Sequence, residues 1–233
     1  MSNEVRYSIE LRGVSPLIMH RDNIEFSSAV SGWQKDPQNK KTSVAGDDRS
    51  PAWTWIGYIY SNGKKGADGK VVLDSDNIMT MLREAGAKMS TGKGKATFKA
   101  VTQYGLYINE MSFSFYNNGV EIATDWMNSL IGENDFDKHL EAANEHGIEL
   151  FMKRARIGMG ARASKHVRIR PKFNDWMAKG TITVIDPSES GLKKDVLQRI
   201  LDIAGCQVGL CDWRPSCPSA GPFGKFVASV TTV

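Results

Sequence analysis

The stretch GTITVIDPSESGLKKDVLQRILDIAG, residues 180–205, changes periodicity part-way along and sets the fold class. Its first seven residues are rich in β-branched side chains and read as a strand. Pro187 to Gly191 breaks that strand. Leu192, Val196, Leu197, Ile200, Leu201 and Ile203 then recur at helical spacing, with Gly205 past the end. A Gly/Pro loop follows, and Phe226 to Val233 reads as a last strand.

Working outward, Val5 to Leu11 alternates with Val5, Tyr7, Ile9 and Leu11 on one face and Arg6, Ser8 and Glu10 on the other. Asp74 or Ser75 caps a predicted helix carrying Ile78, Met79, Leu82 and Ala85 and ending near Gly86; a strand-like run, Tyr104 to Phe115, comes next. The order strand, helix, strand, strand, helix, strand is that of an α+β, ferredoxin-like (RRM-like) βαββαβ core. Residues 1–233 read as one such domain with two insertions. The first, at about 22–73, is read as a polar loop to Arg49 and a β-hairpin of Trp53–Tyr60 with Val71–Leu73. The second, at about 117–150, is acidic, with a helix predicted from Phe136 to Glu145.

The formal charge of +4 excludes little, but its distribution is uneven. Glu121 to Glu149 holds eight carboxylates and one lysine, Lys138. KRARIGMGARASKHVRIRPK, Lys153 to Lys172, then holds eight Lys or Arg and no carboxylate. Cations on an extended backbone can neutralise successive phosphates, and Gly158 and Gly160 let that backbone approach closely. The alternative is that these charges pair with the 121–149 stretch, within the chain or on a neighbouring subunit.

Other stretches carry weaker chemistry. Lys88, Lys93, Lys95 and Lys99 surround a TGKG sequence that lacks the spacing and the Ser/Thr of a nucleotide-phosphate loop. The tail GLCDWRPSCPSAGPFGKF offers Trp213 and Phe223 as rings for base stacking, with Arg214 and Lys225 beside them. His20 and His166 are the candidates for a general base, without an assembled acid-base set around either. Cys206, Cys211 and Cys217 form neither a Cys-x-x-Cys pair nor a zinc pattern, so a reduced intracellular protein without metal or cofactor is expected. The N-terminus carries charges where a signal peptide is apolar, and no run is long enough to span a membrane.

The βαββαβ order, the tail loop after the second helix and the basic segment before the third strand together resemble the repeat-associated superfamily of CRISPR-associated RNA-binding proteins, in particular the subunits that polymerise along a guide RNA. The SPLIMHR turn at 15–21 and the GLCDWRP…FGKF ending are similar to a family of uncharacterised phage and prophage proteins. The first resemblance implies binding of RNA or single-stranded DNA on the sheet face and in the glycine-rich tail loop, with head-to-tail assembly. A location in the cytoplasm, that of a bacterial host if the chain is phage-encoded, is expected. Charge and resemblance together nominate Lys153, Arg154, Arg156, Arg162, Lys165, His166, Arg168 and Arg170 for the strand, with Lys93, Lys95, Trp213, Arg214 and Lys225 as further contacts. A non-catalytic nucleic-acid-binding protein is the expectation. A structural component assembling through its acidic and basic surfaces and an RNA endonuclease of the same fold are the alternatives.

Overall fold

The computed structural model describes residues 3–63, 69–157 and 164–233. In chain order the elements are β1 (Glu4–Gly13), β2 (Leu17–Ile18), α1 (Ile24–Lys35), a 3-10 helix (Ala52–Tyr58), β3 (Val72–Asp74), α2 (Ser75–Gly86), α3 (Val101–Tyr104), β4 (Leu106–Ile108) and β5 (Ser112–Asn117). There follow β6 (Val120–Glu121), a second 3-10 helix (Asp125–Leu130), α4 (Phe136–Glu145), β7 (Glu149–Ile157), β8 (Ser164–Phe173), β9 (Trp176–Ile185), α5 (Pro187–Ser190), α6 (Lys194–Ile203), a π-helical turn (Ala204–Val208) and β10 (Phe226–Thr232). The chain is α+β, with two antiparallel sheets. It divides into two compact units: Met1–Leu17, Val72–Glu121 and Asn174–Val233 form the first, Ile18–Val71 and Ile122–Phe173 the second.

The first unit is built on a sheet in the order β10-β1-β9-β5-β3, with β4 also on β9 and β6 on β5. Register follows from alternation, because a one-residue slip would turn every apolar side chain outward. Ile9 faces Gly180 and Val230 across the strands, Leu11 faces Ala178, and Phe115 faces Ala178 from the other side. Tyr7, Ile9, Leu11, Phe113, Phe115 and Ile182 are therefore buried on one face. Leu197, Ile200 and Leu201 of α6 and Ile78, Met81 and Leu82 of α2 are buried as well, and the two helices touch. The opposite face is polar: Glu10 bonds Arg12 at 2.9 Å and Lys179 at 3.1 Å.

The second unit has a three-stranded sheet, β2-β8-β7, and α4 packs on β7 and on the first 3-10 helix. The two insertions read from the sequence fall almost wholly within this unit, and the basic segment joins them there. Trp53, Trp55, Ile56, Ile148, Leu150, Ile169 and Phe173 are its buried apolar residues near the sheet and the helix. Inside it, Trp55 Nε1 donates to His139 Nδ1 at 3.0 Å, and His139 Nε2 lies 2.8 Å from the Glu133 carbonyl.

Three local expectations are corrected. The polar stretch from Ile24 forms the helix α1 up to Lys35, capped by the Asn23 side chain accepting from Phe26 N at 3.1 Å. None of its residues is fully buried: Phe26, Val30 and Trp33 stand at helical spacing and are half-buried, with Phe26 edge-on to Trp53, but the serines and glycine among them weaken the stripe that periodicity detects. Trp53 to Tyr58 is helical rather than a hairpin strand, and β3 pairs with β5 instead. Six consecutive residues there, Ala52 to Gly57, are buried, which erases the distinction between periods. Tyr104 to Phe115 is the end of α3, then β4 and β5, parted by a turn after Ile108.

Candidate nucleic-acid interface

The basic segment is a β-hairpin. β7 and β8 pair with Lys153 opposite Arg168, Arg154 opposite Val167 and Arg156 opposite Lys165. Its proximal half is embedded: Leu150, Ile169 and Phe173 are buried, and Lys172 Nζ meets Glu149 Oε2 at 2.6 Å. Its distal half is exposed at Met152, Lys153, Arg154, Ser164 and Lys165. Arg162, Gly158 and Gly160 lie outside the described residues, as does the side chain of Arg156. The six cations whose side chains are described, Lys153, Arg154, Lys165, Arg168, Arg170 and Lys172, therefore divide by depth, and depth decides which of them face solvent.

A carboxylate holds the deeper cations. Residues 46–48 run alongside β8, with Val167 N donating to Gly46 O at 2.8 Å and Asp48 N donating to Val167 O at 3.0 Å. Asp48 is thereby buried beside two arginines, accepting from Arg168 Nη1 at 3.0 Å, Arg170 Nη1 at 3.2 Å, Ile169 N at 3.3 Å and Tyr58 Oη at 3.4 Å. The Arg170 guanidinium also lies over the Tyr58 ring, 4.3 Å from its centroid. Burial, reinforced by the Asp48 charge, pushes the Tyr58 hydroxyl pKa up. Side-chain exposure is 10% for Arg170 and 31% for Arg168. Arg170 is thus a structural cation, because a buried charge needs its partner, and Arg168 is half committed to the same carboxylate.

Above this anchor lies a polar cleft of about 300 Å³, lined by Arg21, Asp47, Asp48, Tyr58, His166 and Arg168 among others. Arg49 caps Asp47 through its Nε and Nη2, which holds that carboxyl below its usual pKa. His166 packs against Gly46, whose φ is +76°, and its Nε2 is 2.7 Å from Ser164 Oγ. A side chain at position 46 would meet the imidazole ring, so glycine is required there by space as well as by conformation. His20 contacts Tyr58 edge-on, with centroids 4.8 Å apart.

No family model matches the chain, and no curated protein matches it. What the site does must follow from its chemistry. Among the described residues no group of three or more His, Cys, Asp or Glu is arranged to hold a metal ion, and no helix is long and apolar enough to cross a membrane.

The remaining nominated residues belong to the first unit. Arg214 is held by its own surroundings: Nη1 donates to Cys211 O at 3.0 Å, Nε to Ser216 Oγ at 2.9 Å and Nη2 to Glu84 Oε1 at 3.0 Å. Trp213 is half-buried against Phe223, 5.4 Å between centroids. The glycines of this tail serve close backbone approach, since a Cβ at Gly224 would strike Leu210 O and one at Gly221 would strike Trp213 O. Lys225 anchors the tail through its backbone: its N donates to Ser15 Oγ at 3.0 Å and its carbonyl accepts from Val14 N at 2.9 Å. Lys93 and Lys95 are exposed at the tip of a small ordered turn.

Asp48, Tyr58 and Arg21 were not nominated from the sequence. Asp48 sits in a polar stretch with no periodicity, and its partners lie 120 and 122 residues away. No local signal announces such a pairing.

Proposed function

We propose that the protein binds single-stranded nucleic acid, RNA or DNA, without catalysis, and that the distal half of the β7–β8 hairpin is its principal phosphate contact. The observation that carries this is the exposed set Lys153, Arg154 and Lys165 on a hairpin that, from Lys153 to Lys172, has no carboxylate of its own. The hairpin is braced at its base by Asp48, so these cations sit on a prepared scaffold, and less ordering entropy is lost on binding. Contacts of this kind neutralise phosphates without reading bases, which suits coating of a strand by successive copies of a phage-related or CRISPR-associated-like subunit.

The strand order β10-β1-β9-β5, antiparallel throughout, supports a ferredoxin-like reading of the first unit. So do the positions of α2 ahead of β5 and of α6 between β9 and β10. The exposed sheet face of that unit is less suited to a strand, because two of its cations, Arg12 and Lys179, are already paired with Glu10.

Fluorescence anisotropy of labelled oligo(U) and oligo(dT) tests the proposal. Affinity should fall linearly in log-log form with added salt, with a slope of about −0.7 per phosphate neutralised. Absent or salt-insensitive binding overturns it. A second reading, RNA cleavage, draws on the cleft shared by His166, Tyr58 and Arg168. It would take His166 as the base and requires that labelled RNA is cut and that His166→Ala abolishes the cutting.

A further inference from the structure

The first unit carries a concentration of positive charge of its own. The segment Met89 to Phe98 folds back on itself: Ser90 bridges Thr97, Phe98 N donates to Met89 O at 3.0 Å, and Thr91 N donates to Ala96 O at 3.0 Å. Gly92 and Gly94 turn the chain at φ of +79° and +57°, conformations that glycine takes without strain. Lys88 and Lys99 stand just outside the two arms of this turn.

At its base is an open groove of about 560 Å³ lined by Arg83, Glu84, Lys88, Lys99, Gln103 and Ser216 among others. Arg83, Lys88, Lys99 and Gln103 are exposed. Among the described residues Glu84 is the one carboxylate in that lining, and it is already bonded by Arg214 Nη2 at 3.0 Å and by Ser216 Oγ at 2.7 Å. The groove therefore presents three cations and an amide, with its single negative charge neutralised from behind.

We infer that this groove is a second, independent binding site for the phosphodiester backbone of single-stranded nucleic acid. Arg83, Lys88 and Lys99 are its phosphate contacts, and Arg214 is a positioning residue that keeps Glu84 from repelling the strand. The lysines act as point charges on a hydrogen-bonded frame, so the contact is blind to base identity and screened by salt. Arg214 touches no phosphate in this arrangement. The inference rests on the reading that the chain binds nucleic acid, but not on which hairpin residues do so.

The test is a salt titration of anisotropy with a labelled oligo(dT), run on the full chain and three double variants. Lys88→Gln with Lys99→Gln alters the groove, Arg154→Ala with Lys165→Ala alters the hairpin, and Lys40→Gln with Lys41→Gln removes two exposed charges elsewhere. The groove variant should weaken binding and make the salt slope shallower by about 1.4, two contacts at about 0.7 each. The Lys40/Lys41 variant should leave the slope unchanged. Arg214→Ala should also weaken binding, and adding Glu84→Gln should restore it, an outcome that a merely structural role for Arg214 would not produce.

A groove variant indistinguishable from the Lys40/Lys41 variant overturns the inference, while loss confined to the hairpin variant leaves the proposed function standing. Loss in the groove variant alone keeps the groove and removes the hairpin reading. If the parent chain does not bind, both fall. Should Arg214→Ala disturb folding, as circular dichroism would show, the lysine comparison still decides.

Discussion

Asp48 and Arg170, 122 residues apart in sequence, meet at 3.2 Å with the guanidinium laid over Tyr58. This pair turns part of a basic run into an internal brace. Removing one partner of a buried pair leaves an uncompensated charge, which costs about 3 to 5 kcal/mol. Asp48→Ala should therefore lower the urea midpoint of unfolding by that equivalent, and Asp48→Asn, which keeps an acceptor, by less. An unchanged midpoint for Asp48→Ala would show that the pair contributes nothing to folding.

The exposed cations should behave in the opposite way. Arg154→Ala with Lys165→Ala leaves no buried group unpaired, so thermal stability should stay within about 0.5 kcal/mol of the parent. The same variant should weaken binding equally for oligo(U) and oligo(dT) and flatten the salt slope by about 1.4. Arg170→Ala should instead destabilise the fold. A hairpin variant that unfolds, or a strong base preference that it abolishes, would contradict this division.

His139 makes stability depend on pH. The Trp55 indole N–H can only donate, so Nδ1 of His139 must accept, and its proton sits on Nε2 facing the Glu133 carbonyl. Burial holds the His139 pKa below the usual histidine value. The unfolded chain therefore takes up this proton first as pH falls, so the contribution is complete above about pH 6.5 and is lost progressively below it. Chemical denaturation between about pH 7.5 and about pH 5 should show the midpoint falling, with a smaller fall in Trp55→Phe, which removes the donor. Equal pH dependence in both proteins would remove His139 as the cause.

Gly180 tests the register of the central sheet. It lies on β9 opposite Ile9, and a Cβ there would run into the Phe113 ring. Phe113 is fully buried, so Gly180→Ala should cost about 1 to 3 kcal/mol through overpacking. Adding Phe113→Leu should recover part of that loss, measured as a urea midpoint; a harmless Gly180→Ala would mean that the strands are not in this register.

Local periodicity along the chain carries part of the fold. Val5 to Leu11 alternates because one face of β1 is buried. The helices at 75–86, 136–145 and 194–203 have apolar positions at helical spacing because each lays one face on a core. The charge run at 153–172 was legible as charge, and so was its sign change from the acidic stretch before it. Tertiary structure decided the rest. α1 only half-buries its apolar residues Phe26, Val30 and Trp33 among serines and a glycine, and the 3-10 helix of Trp53 and Trp55 buries six residues in a row, so neither shows a strong one-sided pattern. Which arginines of the run face solvent depended on where Asp48 arrives, and the charge of the second groove depended on Arg214 reaching Glu84 across 130 residues. Pairings at such separations are set by packing of the whole chain, and no window of neighbouring residues encodes them.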